Sequence, residues 1–189
     1  MGRRPRALPS CLSLLASLFI VACASTPHAF ESPFTQEFFS SLDGKLRYRT
    51  PIGWLDATHD APSSNSLIWL VRSDYAATLG VREVVIDAET RREVNRTDLG
   101  RVAELTLAIA SGEKGLTIVM QPVVSTLRGT KVCTYEYATG HPGDLVRIVL
   151  VDAGDEVYEV SMLMTSRVDE KRIPEAASLQ EAFVQNVLW

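Results

Sequence analysis

Four segments in the second half of the chain constrain the fold more than anything else in it. "LTIVMQPVV", "KVCTYEYAT", "DLVRIVLVD" and "EVYEVSMLMT" follow one another, separated only by "LRG", "GHPG" and "AGD". Each run is rich in β-branched and aromatic residues, and connectors this short join neighbouring antiparallel strands. The spacing predicts an antiparallel meander. In its last strand Tyr158, Val160, Met162 and Met164 share one face while Glu159 and Ser161 lie on the other, so the first face is expected to meet a core. Cys133 shares a face with Tyr135 and Tyr137, and cysteine is among the most buried residue types, so a packing role is expected for it.

Upstream, Leu46 and Tyr48 alternate with Lys45, Arg47 and Arg49, the period of a half-buried strand. Pro51-Ile52-Gly53 closes it before Trp54: proline fixes the exit, glycine permits a turn, and the indole is expected to cover an open end of the core. Leu67 to Val71 and Val81 to Ile86 read as two more strands, with "RSDYAATLG" as a loop that includes Gly80. "DAETRREVNRTD" reads as a charged connection. Thr97 or Asp98 then caps a helix whose Leu99, Val102, Ala103, Thr106, Ile109 and Ala110 recur at helical spacing, with Gly112 and Gly115 ending it. Pro174 suits the start of a closing helix with Ala176, Leu179, Phe183, Val184 and Val187 on its apolar side. The fold class is α+β, an antiparallel sheet with covering helices.

The first residues concern address rather than fold. Arg3, Arg4 and Arg6 precede an apolar run bounded by Pro9 and Cys23, about a dozen residues where a membrane span needs roughly 20. This is the layout of an export signal. Ile20-Val21-Ala22-Cys23 resembles a bacterial lipobox, which implies cleavage after Ala22 and lipid on the Cys23 thiol. Two or more acyl chains on one residue suffice for stable anchoring. The expected organisation is a signal peptide over 1–22, a lipidated cysteine and tether over 23–41, and one domain over 42–189. Within the tether, Phe34, Phe38 and Phe39 are expected to form one side of a short helix docked on the domain, with no basic residue nearby to favour lipid. In a host with two membranes, Ala24 after the cysteine resembles the default signal for the outer membrane, so its periplasmic face is the expected location.

The order of elements, together with Tyr48-Arg49-Thr50-Pro51-Ile52-Gly53-Trp54, resembles a superfamily that includes the photosystem II extrinsic PsbP-type proteins, a Ran-binding nuclear import factor and many bacterial periplasmic proteins and lipoproteins. The resemblance spans approximately Leu42 to Trp189 and implies a PsbP-like α/β/α sandwich serving binding or assembly. A sheet covered on one face only is the alternative.

Chemistry is sparse in the sequence. The chain carries a formal net charge of −4, and removal of the signal arginines makes it more acidic, which argues against nucleic acid. His28, His59 and His141 are scattered over expected loops and the tether, so no metal or cofactor is expected. No G-x-S-x-G elbow, phosphate loop or dinucleotide fingerprint occurs, and no catalytic residue is assigned. Arg91, Arg92, Arg96 and Arg101, with Arg82 near, are the candidate patch for an acidic partner in the envelope. The expected function is a lipid-anchored, non-catalytic binding or assembly module. The alternative is an envelope hydrolase or thiol enzyme whose site is assembled only by folding.

Overall fold

The meander expected from the second half of the chain is the centre of the molecule. A computed structural model describes residues 33–96, 99–114 and 116–189. In it β6 (Thr117–Leu127), β7 (Thr130–Ala138), β8 (Leu145–Asp152) and β9 (Val157–Met164) pair antiparallel in sequence order. The sheet is extended beyond β9 by β5 (Ala77–Glu83), β4 (Ser66–Arg72) and β3 (Trp54–Asp56), giving the order β3-β4-β5-β9-β8-β7-β6. A separate pair, β1 (Phe39–Ser40) with β2 (Arg47–Tyr48), precedes it.

Alternation along the strands gives the sheet two apolar faces, and each has its own core. On one face Val149, Val160 and Met162 meet Phe183 and Val184 of α3 (Ile173–Asn186) and Val187 just after it, with Leu46 and Tyr48 beside them. On the other, Cys133, Tyr135, Ile148 and Leu150 meet Leu99, Val102, Ala103 and Leu107, most of them on α2 (Gly100–Lys114). Helices therefore cover both faces, and the alternative of a half-covered sheet is excluded. Pro174 lies in the first turn of α3, where a missing N–H costs no helical hydrogen bond.

Arg147, in the middle of an otherwise apolar strand, fastens α3 to the sheet. It is almost wholly buried and donates through Nε to Glu136 at 3.2 Å, through Nη1 to Gln180 at 2.8 Å and through Nη2 to Glu181 at 2.6 Å. Gln180 donates in turn to the carbonyls of Arg147 at 3.1 Å and Val160 at 2.9 Å.

Several local expectations are corrected. The charged connection is a helix, α1 (Ala88–Arg96). Its start is fixed by Asp87, whose Oδ1 accepts from the Glu89 and Thr90 amides at 2.9 Å while the Thr90 hydroxyl donates to Oδ2. Strand β5 begins at Ala77, so Gly80 is a strand residue and the turn is confined to the residues before Ala77. α2 passes through Gly112; Thr97, Asp98 and Gly115 lie outside the described residues.

Phe34, Phe38 and Phe39 form no helix. Phe34 is 3% exposed in the first core and bridges Pro51, while Phe39 pairs with Tyr48. The core thus draws on residues ahead of Leu42, and the described residues belong to one compact unit. Phe38 is not isolated from basic groups either, because Arg47 and Arg49 stand over its ring at 5.1 and 4.7 Å. Trp54 is half-buried and packs against the first core, in keeping with a covering position.

Candidate functional site

A straight helix laid on a twisted sheet seats closely along only part of its length. Here α2 is seated by Val102, Ala103 and Leu107, while Ile109 is 67% exposed and Ala110 is partly buried. Of the apolar stripe read from the sequence, Ile109 is corrected to an exposed position, while Thr106 and Ala110 stay partly buried. Between the Thr106–Ala110 part of the helix and the sheet lies a cavity of ≈ 1020 Å³. That is at the upper end of the roughly 300–1,000 Å³ typical of small-molecule sites. Val84, Leu107, Ile148 and Leu163 supply apolar wall, and the exposed His141 stands at the rim.

Strand alternation brings Tyr135 and Tyr137 of β7 to the same cavity, with ring centroids 6.5 Å apart and planes at 25°. Tyr135 is 1% exposed, and its buried hydroxyl has no hydrogen-bond partner among the described residues. The Thr106 hydroxyl approaches closely enough to influence it, yet hydrogen-bond geometry is not met, and Thr106 donates instead to the Val102 carbonyl at 2.8 Å. An orphaned buried hydroxyl costs about 1–3 kcal/mol. Burial, and then the nearby Glu159 carboxylate, push the Tyr135 phenol well above its ordinary range; the same two causes raise Tyr137. Both phenols therefore stay protonated and able to donate.

The charged groups of the cavity are already matched. Arg82 grips Glu159 in a two-pronged pair, Nε to Oε1 at 3.0 Å and Nη2 to Oε2 at 2.7 Å, in which the carboxylate is nearly buried. This pairing is why Glu159, on the face opposite Tyr158, is tolerated away from water.

Of the arginines of the candidate patch, the structure withdraws one. Arg91 turns inward and pairs with Asp152 at 3.1 Å, both side chains largely buried, so it is withdrawn from any docking surface. Arg82 is engaged by Glu159. Arg92 and Arg101 are exposed, on α1 and α2 respectively, and the Arg96 side chain lies outside the described residues. The charge run hid the helix that sorts these residues: one turn of α1 points Arg91 at the sheet and Arg92 at solvent. Cys23 also lies outside the described residues. Cys133 is 0% exposed in the second core, as its strand position implied. The sequence reading missed the cavity, although the Tyr135–Tyr137 alternation and an acid on the last strand were its two visible signs.

By sequence, the chain matches no protein-family model and no curated protein. Solved structures do resemble it. The solution structure of the cyanobacterial PsbP of Synechocystis sp. PCC 6803 superposes with a TM-score of 0.55 at 14% identity, over 80% of this chain and 91% of that one. The chain has the PsbP-like fold. The Ran-binding protein Mog1p of Saccharomyces cerevisiae superposes with a TM-score of 0.50 at 12% identity, over 82% of this chain and 95% of its own. At these identities the likeness is one of architecture. The PsbP-like α/β/α sandwich expected from the order of elements is thereby established, while the site beneath α2 is described by its own geometry.

Proposed function

We propose that this chain is a non-catalytic binding module, held at the bacterial cell envelope through lipid on Cys23, and that what it binds enters the cavity beneath α2. The observation that carries the reading is that cavity, with an apolar wall, its ion pair satisfied and a buried phenol lacking a partner. Such a place is built to hold a molecule. The Ran-binding function of Mog1p is a second support, since it shows a protein of this architecture used for binding. A thiol enzyme finds little support, because the Cys133 sulfur is shut inside the core, away from any substrate.

Two measurements test the two parts. Fatty-acid labelling in the native host is expected to mark the wild type and to fail in Cys23→Ser; label retained in the variant overturns the anchor. In density fractionation the labelled protein is expected with the outer membrane. For the cavity, protein purified from its own membranes is expected to release a stoichiometric small molecule into organic solvent. Ala110→Trp, which places an indole in the cavity, should abolish that. An envelope protein crosslinked equally to wild type and Ala110→Trp, with nothing extracted from either, would move the function from the cavity to the outer surface.

A further inference from the structure

We infer that the outer face of the β1–β2 ribbon, where Arg47 and Arg49 stand over Phe38 with Leu188 alongside, rests on an anionic phospholipid surface. This rests on the reading of lipid at Cys23, and it adds the orientation in which the anchored chain meets its membrane.

The ribbon has two unlike faces. Phe39 and Tyr48, paired across it, turn inward against the first core, which sends their neighbours outward. Arg47 exchanges backbone hydrogen bonds with Leu188, and residues bridged in this way present their side chains on one side. The outer face thus carries the exposed Arg47, Leu188 at 53% exposure and Phe38 at 40%, and the two guanidinium groups lie 5.1 and 4.7 Å from the centre of the Phe38 ring. Neither arginine forms an ion pair among the described residues, and the acids nearest in sequence, Glu37 and Asp43, are no exception. Two unspent cations beside an apolar ring and a leucine suit the boundary between phosphate headgroups and acyl chains, where each finds its own medium.

The place of this face in the chain selects lipid over a free acidic protein. Phe38 follows Cys23 by fifteen residues, at most about 50 Å of chain at roughly 3.3 Å each, so an anchored molecule keeps the face within reach of its own membrane. Contact is then intramolecular in effect, and a weak patch suffices. The chain as a whole is net acidic, so an anionic surface repels it on average and favours the orientation that presents these two arginines. The one argument for keeping the phenylalanines away from lipid was a lack of basic residues, and the fold removes it.

The test uses the full chain purified from its native membranes and reconstituted in vesicles of phosphatidylcholine, alone or with about 30 mol% phosphatidylglycerol, each carrying a dansyl lipid that accepts energy from tryptophan. Flotation reports the anchor; transfer, with Trp189 next to Leu188 as a donor, reports docking. Transfer is expected to be stronger in the anionic vesicles and to fall back at high salt. Arg47→Ala with Arg49→Ala should lower the ratio of docked to undocked chain there by about thirtyfold, the loss of two surface charges, and leave neutral vesicles unchanged. Arg47→Lys with Arg49→Lys should stay within about threefold of wild type, because a lipid surface reads charge rather than guanidinium geometry. Arg92→Ala with Arg167→Ala, an equal loss of charge at two exposed positions elsewhere, should do the same. A chain that fails to float with neutral vesicles overturns the anchor and this inference with it. A chain that floats with both but shows equal transfer in both, or whose transfer is unmoved by the ribbon alanines, overturns the docking and leaves the anchor standing. So does transfer lowered as much by the lysine pair or by the Arg92 and Arg167 pair as by the ribbon alanines.

Discussion

Gly80 is glycine because an indole occupies the place where its side chain would stand. A Cβ built there meets the Trp69 ring at 3.1 Å and the Ser161 hydroxyl at 3.2 Å, and Trp69 is its direct partner across β4 and β5. Gly80→Ala is therefore expected to cost about 1–3 kcal/mol through overpacking, read as a lowered urea midpoint at unchanged slope. The same change with Trp69→Leu should cost less than the two single changes added together. The residue also shows what sequence alone obscures. Glycine is common in loops, so "RSDYAATLG" reads as one; only the partner strand reveals a tryptophan needing the room. Cys133 and Tyr135 were legible, because their period of two survives in any sheet. The lack of a partner for Tyr135 was not, since an unmade bond leaves no trace in a sequence.

At the scale of elements, α3 depends on one arginine as well as on its apolar stripe. Arg147 joins Glu136 on the neighbouring strand to Gln180 and Glu181 on the helix, with Arg147 and Gln180 buried and Glu181 partly in water. Removing the buried arginine leaves Gln180 and Glu136 without their partner, while Glu181 can turn to water. Arg147→Ala should destabilise by about 2–4 kcal/mol, below the full figure for a wholly buried pair, and Arg147→Met, which keeps the packing of the stem, should cost less. Chemical unfolding followed by far-UV circular dichroism checks both. Helix α1 shows the opposite balance, in which local signals were present and were outweighed. Asp87 ahead of Glu89 and Thr90 is a helix-start pattern, but the density of charge around it suggested a solvated loop. The Asp87 carboxyl is held below its ordinary range by these amides and the Thr90 hydroxyl. Its cap persists at neutral pH and is lost as pH falls through that lowered value.

For the whole molecule, the order of elements carried nearly all of the architecture, because short turns leave successive strands few places to go. The cavity was beyond its reach, since its lining is gathered from strands and a helix far apart in the sequence rather than from any motif. The two cores share a response to alkali. Burial raises the phenols of Tyr48 and Tyr158 beside the first core and of Tyr135 in the second, with the acids Asp56, Glu156 and Glu159 adding to it. The unfolded chain then releases phenolic protons more readily than the folded one. Stability is complete below the ordinary phenol value of about 10 and is lost as pH rises through it towards the folded values. Tyrosinate absorbance should accordingly appear together with unfolding, and tyrosinate formed while near-UV circular dichroism stays native would contradict this.

The border of the sheet carries a consequence of its own. β6 has a neighbour on one side only, and it leaves Ile118, Val119, Val123 and Val124 exposed over an unusually long strand. Rows of unpaired amides and carbonyls invite a second chain to zip alongside, and the invitation grows with the crowding of like molecules. Two breaks in register, one between Ile118 and Met120 and another between Met120 and Val123, interrupt that row, and Pro122 removes a donor from its middle. No incoming strand can stay in step along its whole length. Solubility at high local density is thus written into the irregularities of one strand, and a tidier β6 would make a stickier protein.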